Sequence, residues 1–181
     1  YNQRNKVIQS DQSQITSENF IEYLSRQGIG KGDLLILHSS FCALKPESGK
    51  RGRIIDMLLE LLGTEGTLAM PAIPYFKDAP DMTRIMKEDV SALILDYDPL
   101  KTVSVTGVLP NVMCRYPRSV RSMHPLNTMV AIGPHAKPMM EKNLVGDSPL
   151  PCGRNSSWYY CYMYNAKIVA LGVDLVHSLT M

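Results

Sequence analysis

Apolar residues along this chain follow two spacings, one typical of helices and one typical of buried strands. In residues 17–27 the apolar side chains recur every three or four positions, which predicts a short amphipathic helix that begins at a serine cap and ends at Gly28. Residues 53–62 have the same period and predict a second helix, which ends at Gly63. Short helices are also predicted at 107–115, 134–141 and 158–164.

Short continuous apolar runs predict the strands. Strands are expected at 34–37, 66–70, 128–132 and 167–173, and those at 34–37 and 167–173 are expected to be buried. The order strand, helix, strand between 34 and 70 indicates a parallel crossover, whereas 75–102 is interpreted as a long excursion near the site. This alternation predicts an α/β fold, in which polar chemistry collects where the strands end.

Composition narrows the class of function. The 181 residues are 45% hydrophobic and 20% charged, with 19 basic and 17 acidic side chains and a net charge of +2. No basic block indicates binding to nucleic acid or to an anionic membrane, and no apolar run approaches the ~20 residues of a membrane helix. The four cysteines form no C-x-x-C pair, so no metal site is expected. We therefore expect a cytoplasmic protein with a small-molecule partner.

The stretch RSMHPLNT places His124 directly before a proline. A residue before proline is held in an extended conformation, which narrows the directions that the ring can take. An imidazole that is neutral near physiological pH can accept a proton from an amine. His124 is therefore a candidate general base, although a histidine at a strand entrance is more often structural.

A second polar group, His38-Ser39-Ser40, follows the first strand. Its hydroxyls and amides can meet a ligand, or they can cap the next turn. The G-x-S-x-G elbow of a nucleophilic serine is absent. Neither a phosphate loop nor a G-x-G-x-x-G fingerprint occurs, which disfavours ATP and dinucleotides. Basic residues near 104–110 and at 121–122 are the candidates for holding the phosphates of another cofactor.

Several motifs together resemble one family. They are GIGKGDLLILHSS at 28–40, LLELLGTEGTLAMP at 58–71, YDP at 97–99, TGVLP at 106–110, and RSMHPLNT at 121–128 running into AIGP at 131–134. Their order and spacing are similar to the aminoglycoside 3-N-acetyltransferase family. The resemblance extends from about residue 17 to the end, so residues 16–181 are expected to form one domain behind a polar N-terminal arm at 1–15.

The resemblance implies an α/β fold with a mixed, largely parallel central sheet flanked by helices. It also implies direct acetyl transfer from acetyl-coenzyme A to an amine, without an acyl-enzyme and without a metal. His124 would be the catalytic base, oriented by Asp147 or Asp174, while backbone amides near Ser39 and Ser40 stabilise the oxyanion. The residues expected to line the coenzyme A channel or to stand beside it are His38, Ser39, Ser40, Thr106, Gly107, Val108, Arg121 and Ser122.

This chain departs from the family pattern in two places. Many members read G-x-L-P-E where this chain has Asn111, which removes a negative charge. Family chains also usually continue with a further histidine and acid, so we expect the domain to be incomplete after Met181. Three alternatives stay open: a different acceptor, such as an amino sugar or a small biosynthetic amine; a paralogue that binds coenzyme A without catalysis; and a hydrolase that uses Ser40 and His124. A homo-oligomer also stays open.

Overall fold

The computed structural model describes residues 17–40, 51–80, 82–89, 95–146 and 149–173. The predicted arm at 1–15 lies outside them. The helices are α1 Ser17–Arg26, α2 Arg51–Leu62, α3 Met82–Lys87, α4 Val108–Met113, α5 Ala136–Met140 and α6 Ser157–Met163. The strands are β1 Leu34–Ser39, β2 Thr67–Pro71, β3 Val120–Arg121, β4 Met129–Ile132 and β5 Lys167–Leu171.

The strands form a mixed five-stranded sheet in the order β3-β4-β2-β1-β5. Strand β1 pairs in parallel with β2, with Leu34 opposite Thr67, and also in parallel with β5. This confirms the predicted crossover and the α/β class. Strand β4 runs antiparallel to both β2 and β3. The sequence did not predict β3, because its two residues are too few to show a period.

Alternate residues of the strands pack into two hydrophobic clusters, one on each face of the sheet. Leu35 and Leu37 of β1 belong to the cluster that includes residues of α1, α2 and α4. Leu34 and Ile36 face the opposite way and pack with residues of α5 and α6. A strand buried on both faces needs apolar residues at every position, which explains the continuous run at 34–37.

Strand β5 was predicted to be buried, and this prediction is wrong for most of its length. Lys167, Ile168 and Ala170 are exposed, and Ile168 keeps 52% of its surface accessible. The strand lies at the end of the sheet order, paired with β1. Among the described residues, Val169 and Leu171 of this strand pack against a cluster. The apolar composition therefore predicted the strand correctly but did not predict its burial correctly.

The topology brings the candidate segments to one edge of the sheet. Because β1 and β2 are parallel, Ser39 and Pro71 end at the same edge. Strand β4 is antiparallel to β2 and begins there, with Met129 opposite Pro71. Residues 122–128 connect β3 to β4 and so lie at this edge too. The predicted histidine segments are thus neighbours of one sheet edge although they are far apart in sequence.

Candidate active site

A cleft of about 220 Å³ opens where β1 and β2 end. It is lined by Leu37, His38, Ser39, Pro71, Thr106, Pro110 and Val173. The structure therefore groups His38, Ser39 and Thr106, three residues that the sequence assigned to coenzyme binding. No Asp, Glu, Lys or Arg is among these lining residues. Pro110 belongs to the TGVLP segment that the resemblance placed at the channel, whereas Pro71 and Leu37 were not singled out, because an apolar wall residue resembles any core residue in sequence.

His38 is a buried side chain of this cleft, with 6% of its surface exposed. Burial disfavours the charged imidazolium and lowers the pKa of His38 below its usual 6.5. The ring is therefore neutral near physiological pH. It contributes polar atoms to the cleft wall without contributing a charge.

Ser40 was expected to offer a backbone amide to an oxyanion. The structure uses that amide otherwise, because the Ser40 N–H donates to the carbonyl oxygen of Leu171 at 2.9 Å. The bond continues the pairing of β1 with β5. A donor already satisfied by the sheet cannot also stabilise a reacting oxygen, so this part of the expectation is wrong for Ser40.

The turn that contains Thr106 and Gly107 closes one side of the cleft. The Thr106 hydroxyl donates to the carbonyl oxygen of Pro71 at 2.6 Å. Gly107 has a φ of 120°, a conformation that favours glycine, and a Cβ placed there would lie 3.7 Å from the Ser39 carbonyl oxygen. Val108 begins α4 and is not among the lining residues of the cleft. The first two residues of the T-G-V sequence thus lie beside the ends of β1 and β2.

Arg121 was expected near cofactor phosphates, but its guanidinium is buried and occupied by the protein itself. It donates to the carbonyl oxygens of Ala72 at 2.6 Å, Pro99 at 3.4 Å, and Thr102. It also lies 5.5 Å from the centre of the Tyr97 ring. These contacts tie the 97–102 segment to the end of β2. Arg121 is therefore an anchor of the scaffold in this conformation and does not line the cleft.

Ser122 is buried beside His124 and does not line the cleft. Its hydroxyl accepts a hydrogen bond from the His124 N–H at 3.1 Å, and its carbonyl oxygen accepts one from the Tyr97 hydroxyl at 2.6 Å. Both contacts shape the loop between β3 and β4. Ser122 thus fixes the loop that carries the histidine.

Both ring nitrogens of His124 face backbone groups. Nε2 lies 3.0 Å from the carbonyl oxygen of Pro149, and Nδ1 lies 3.1 Å from the Leu126 nitrogen and 3.0 Å from the Leu126 carbonyl oxygen. We assign the proton of the neutral ring to Nε2, because this tautomer donates to the Pro149 carbonyl oxygen and also keeps the bond from the Leu126 N–H, whereas a proton on Nδ1 would keep only the contact with the Leu126 carbonyl oxygen. Nδ1 then accepts from the Leu126 N–H. A neutral His124 has no lone pair left for a substrate in this arrangement.

A second, much smaller cavity lies beside His124. Its volume is about 10 Å³, enough for about one water molecule. It is lined by Ser122, His124, Leu126, Asn127, Asn143, Leu150, Pro151, Ser156 and Ser157. His124 and His38 therefore lie at the same sheet edge but face different cavities.

The acids proposed to orient the histidine are placed as follows. Asp147 and Asp174 lie outside the described residues. Asp98, the acid of the YDP motif at 97–99, accepts a hydrogen bond from the Leu100 N–H at 2.8 Å and caps a turn. Within the described ranges, no three His, Cys, Asp or Glu side chains are grouped so that they would hold a metal ion.

Comparison with known proteins adds a family and several relatives. The family model described as aminoglycoside 3-N-acetyltransferase matches residues 36–181. Aminoglycoside N(3)-acetyltransferase IX of Micromonospora chalcea is 32% identical over 168 residues, which cover 89% of this chain and 58% of that protein. Aminoglycoside N(3)-acetyltransferase VIII of Streptomyces fradiae is 27% identical over 94% of this chain and 60% of its own length. The chain thus spans about three fifths of these relatives.

Solved structures share the fold. Aminoglycoside acetyltransferase AAC(3)-Xa superposes with a TM-score of 0.76 at 26% identity, over 91% of this chain and 59% of that one. AAC-IIIb, solved as a binary complex with CoASH, superposes with a TM-score of 0.72 at 23% identity, over 90% of this chain and 61% of that one. None of the helices in the described ranges has the length and apolar character to cross a membrane.

Proposed function

Since the chain belongs to the aminoglycoside 3-N-acetyltransferase family, we propose that it transfers the acetyl group of acetyl-coenzyme A directly to an amine of an aminoglycoside or a related amino sugar. The observation that carries the proposal is the cleft at the ends of β1 and β2. It collects His38, Ser39 and Thr106 in one place. The acetyl donor binds there in our proposal.

The size and chemistry of the cleft favour the pantetheine arm of the coenzyme. Pockets for drug-sized molecules are typically 300 to 1,000 Å³, by the usual rough range, and this cleft has about 220 Å³. A slender chain fits such a volume better than an aminoglycoside does. The pantetheine arm is uncharged and carries amide groups, and the lining residues are apolar or neutral polar. A polycationic amine, by contrast, requires carboxylates, and the described lining residues include none.

The reaction needs a neutral amine close to the thioester carbonyl. Nitrogen attacks the carbonyl carbon, the amine loses a proton, and the thiolate of coenzyme A leaves. Holding both substrates in one site supplies a large share of the rate by proximity. A base that takes the amine proton adds roughly 100- to 10,000-fold.

We retain His124 as the proposed base under one geometric condition. Nε2 has to exchange the Pro149 carbonyl for the amine, because the neutral ring otherwise has no lone pair to offer. Pro149 lies 25 residues from His124 in sequence, in the segment that leads to α6. A displacement of that segment when substrate binds would meet the condition.

The proposal is tested by binding and turnover with the purified protein. Calorimetric titration with acetyl-coenzyme A should give a saturable isotherm, and thiol release should depend on an added amine. Aminoglycosides, nucleotide-linked amino sugars and simple amines are compared as acceptors. Absence of coenzyme binding would refute the transferase assignment. Binding without thiol release for every amine would instead favour a coenzyme A-binding paralogue without catalysis.

A further inference from the structure

The side-chain amide of Asn111 makes three hydrogen bonds to the turn that closes the cleft. Its Oδ1 accepts from the Ser104 N–H at 2.8 Å. Its Nδ2 donates to the Ser104 carbonyl oxygen at 2.8 Å and to the Gly107 carbonyl oxygen at 2.7 Å. The reverse orientation would set an oxygen against two carbonyl oxygens, so the partners determine which end is the nitrogen.

The same turn has a fixed arrangement of hydroxyl protons. Thr106 uses its one hydroxyl proton on the Pro71 carbonyl oxygen. In the 2.6 Å contact between the hydroxyls of Ser104 and Thr106, Ser104 is therefore the donor. The Ser104 hydroxyl in turn accepts from the Thr106 N–H at 3.2 Å. One lone pair of the Thr106 oxygen is left without a partner in this network.

We infer that Asn111 is a positioning residue, which fixes the 104–107 turn so that the Thr106 hydroxyl meets the cleft ligand only as a hydrogen-bond acceptor. This rests on the proposed function and deepens it. The ligand group at this point of the cleft has to be a donor. In acetyl-coenzyme A the donors of the pantetheine arm are its two amide N–H groups and its secondary hydroxyl.

The inference also explains why an amide can replace the glutamate of the family pattern at position 111. An ionised carboxylate only accepts hydrogen bonds, so it could not donate to the carbonyl oxygens of Ser104 and Gly107. Asn111 supplies the two donors that this turn uses. The residue change therefore alters how the turn is held and does more than remove a charge.

The protein side is tested with variants of two residues. Thr106→Val keeps the shape and removes the acceptor, and it should raise the Kd of acetyl-coenzyme A about threefold to tenfold, the loss of one hydrogen bond. Thr106→Ser should bind like the wild type. Asn111→Asp should raise the Kd and the KM for acetyl-coenzyme A by a similar factor while kcat at saturation stays within about twofold.

Asn143 provides a matched control away from the cleft. Its Nδ2 donates to the carbonyl oxygens of Met139 and Asn155, and its Oδ1 accepts from the Ser157 hydroxyl. Asn143→Asp loses the same number of donated bonds and should lower the melting temperature without changing the Kd of acetyl-coenzyme A. Equal changes of Kd in Asn111→Asp and Asn143→Asp would mean general destabilisation and would overturn the inference.

The ligand side is tested with coenzyme analogues that each lose one donor of the pantetheine arm: either amide is replaced by an ester, or the secondary hydroxyl is replaced by hydrogen. One analogue should bind the wild type about threefold to tenfold more weakly, and Thr106→Val should not distinguish it from the parent coenzyme. If every analogue loses the same affinity with both proteins, Thr106 is not the acceptor. Failure of the wild type to bind acetyl-coenzyme A would refute the proposed function as well, so the two failures are distinguishable.

Discussion

The Nε2 atom of His124 lies 3.0 Å from the carbonyl oxygen of Pro149, 25 residues along the chain. This contact joins the loop between β3 and β4 to the segment that leads to α6. It is also the contact that a base role of His124 has to open. The same contact therefore holds the two segments together and has to break before His124 can act as a base.

Replacement of His124 by Ala is expected to reduce kcat by roughly 100- to 10,000-fold if the ring is the base. The Kd of acetyl-coenzyme A should change little, because His124 does not line the cleft. The measurement is steady-state thiol release together with calorimetric binding.

A purely structural role of His124 gives a different pattern. The variant would leave the part-buried Pro149 carbonyl and Leu126 N–H without their partner, which lowers the unfolding free energy by less than the ~1 to 3 kcal/mol that a fully buried unsatisfied group costs. If Tm falls but kcat and its pH profile are kept below the melting transition, the base assignment is refuted and the ring only joins the two loops.

Arg121→Met is expected to destabilise the protein strongly without weakening the binding of acetyl-coenzyme A. The buried guanidinium donates to carbonyl oxygens of Ala72, Pro99 and Thr102, and hydrogen bonds to a charged group contribute about 1.5 to 3 kcal/mol each. Urea denaturation measures the stability, and calorimetry at two salt concentrations measures the affinity. A large, salt-dependent rise in Kd would restore Arg121 as a phosphate ligand.

The sequence predicted the scaffold well because burial on both faces of a sheet leaves a direct composition signal. Residues 34–37 had to be continuously apolar, and the helix stops at Gly28 and Gly63 needed positive φ, which the structure gives them. Strand β5 has a similar composition but is exposed at Ile168. Burial of an edge strand depends on what covers it, and composition alone does not record that.

The site was predicted less completely because many of its partners are backbone atoms. The carbonyl oxygens that occupy Arg121 and the Pro149 carbonyl beside His124 exist at every residue and leave no mark in the sequence. His38 could be found, since a polar residue at the end of a buried apolar run is a recognisable pattern, whereas Thr106 was named through the family resemblance. Asn111 was visible as a departure from the family pattern, but its three hydrogen bonds required the structure.

The stability of the protein should fall as the pH decreases below about 6.5, in part because of His38. Burial lowers the pKa of His38 in the folded protein from its usual 6.5. As the pH falls, the unfolded chain therefore protonates this histidine before the folded protein does. The stability contribution of the neutral ring is fully present above pH 6.5. It is lost as the pH falls from 6.5 to the folded pKa, by at most about 1.4 kcal/mol per pH unit. Denaturation at a series of pH values with wild type and His38→Gln measures it.

Between pH 7 and 5 the unfolding free energy of the His38→Gln variant should depend less steeply on pH than that of the wild type, because glutamine binds no proton in this range. Asp33 does not interfere in this range. Burial alone would raise the pKa of Asp33, but hydrogen bonds from Lys167 and Gly30 hold it below its usual 3.8, so its stability contribution is lost only at lower pH. Identical slopes for wild type and variant would contradict the assignment to His38.

Gly133→Ala is expected to destabilise the fold, whereas Gly30→Ala should be nearly neutral. Gly133 has a φ of 128°, and a Cβ there would lie 2.3 Å from the Gly66 carbonyl oxygen and 2.5 Å from the Thr67 hydroxyl oxygen. Both neighbours belong to the start of β2 or to the residue before it, so neither can move without disturbing the sheet. A strained backbone conformation alone costs about 1 to 3 kcal/mol, and the contact with Gly66 adds to it.

At Gly30 an added Cβ meets no atom within 4 Å, and the backbone there does not have the positive φ of Gly28 or Gly32. The Gly30 N–H that donates to Asp33 at 2.7 Å is kept in the alanine variant. Urea denaturation measures the free energy of unfolding of both variants. We expect this free energy to be lower for Gly133→Ala than for Gly30→Ala by at least about 2 kcal/mol. Equal stabilities of the two variants would contradict the close approach of Gly133 to Gly66 and Thr67 at the start of β2.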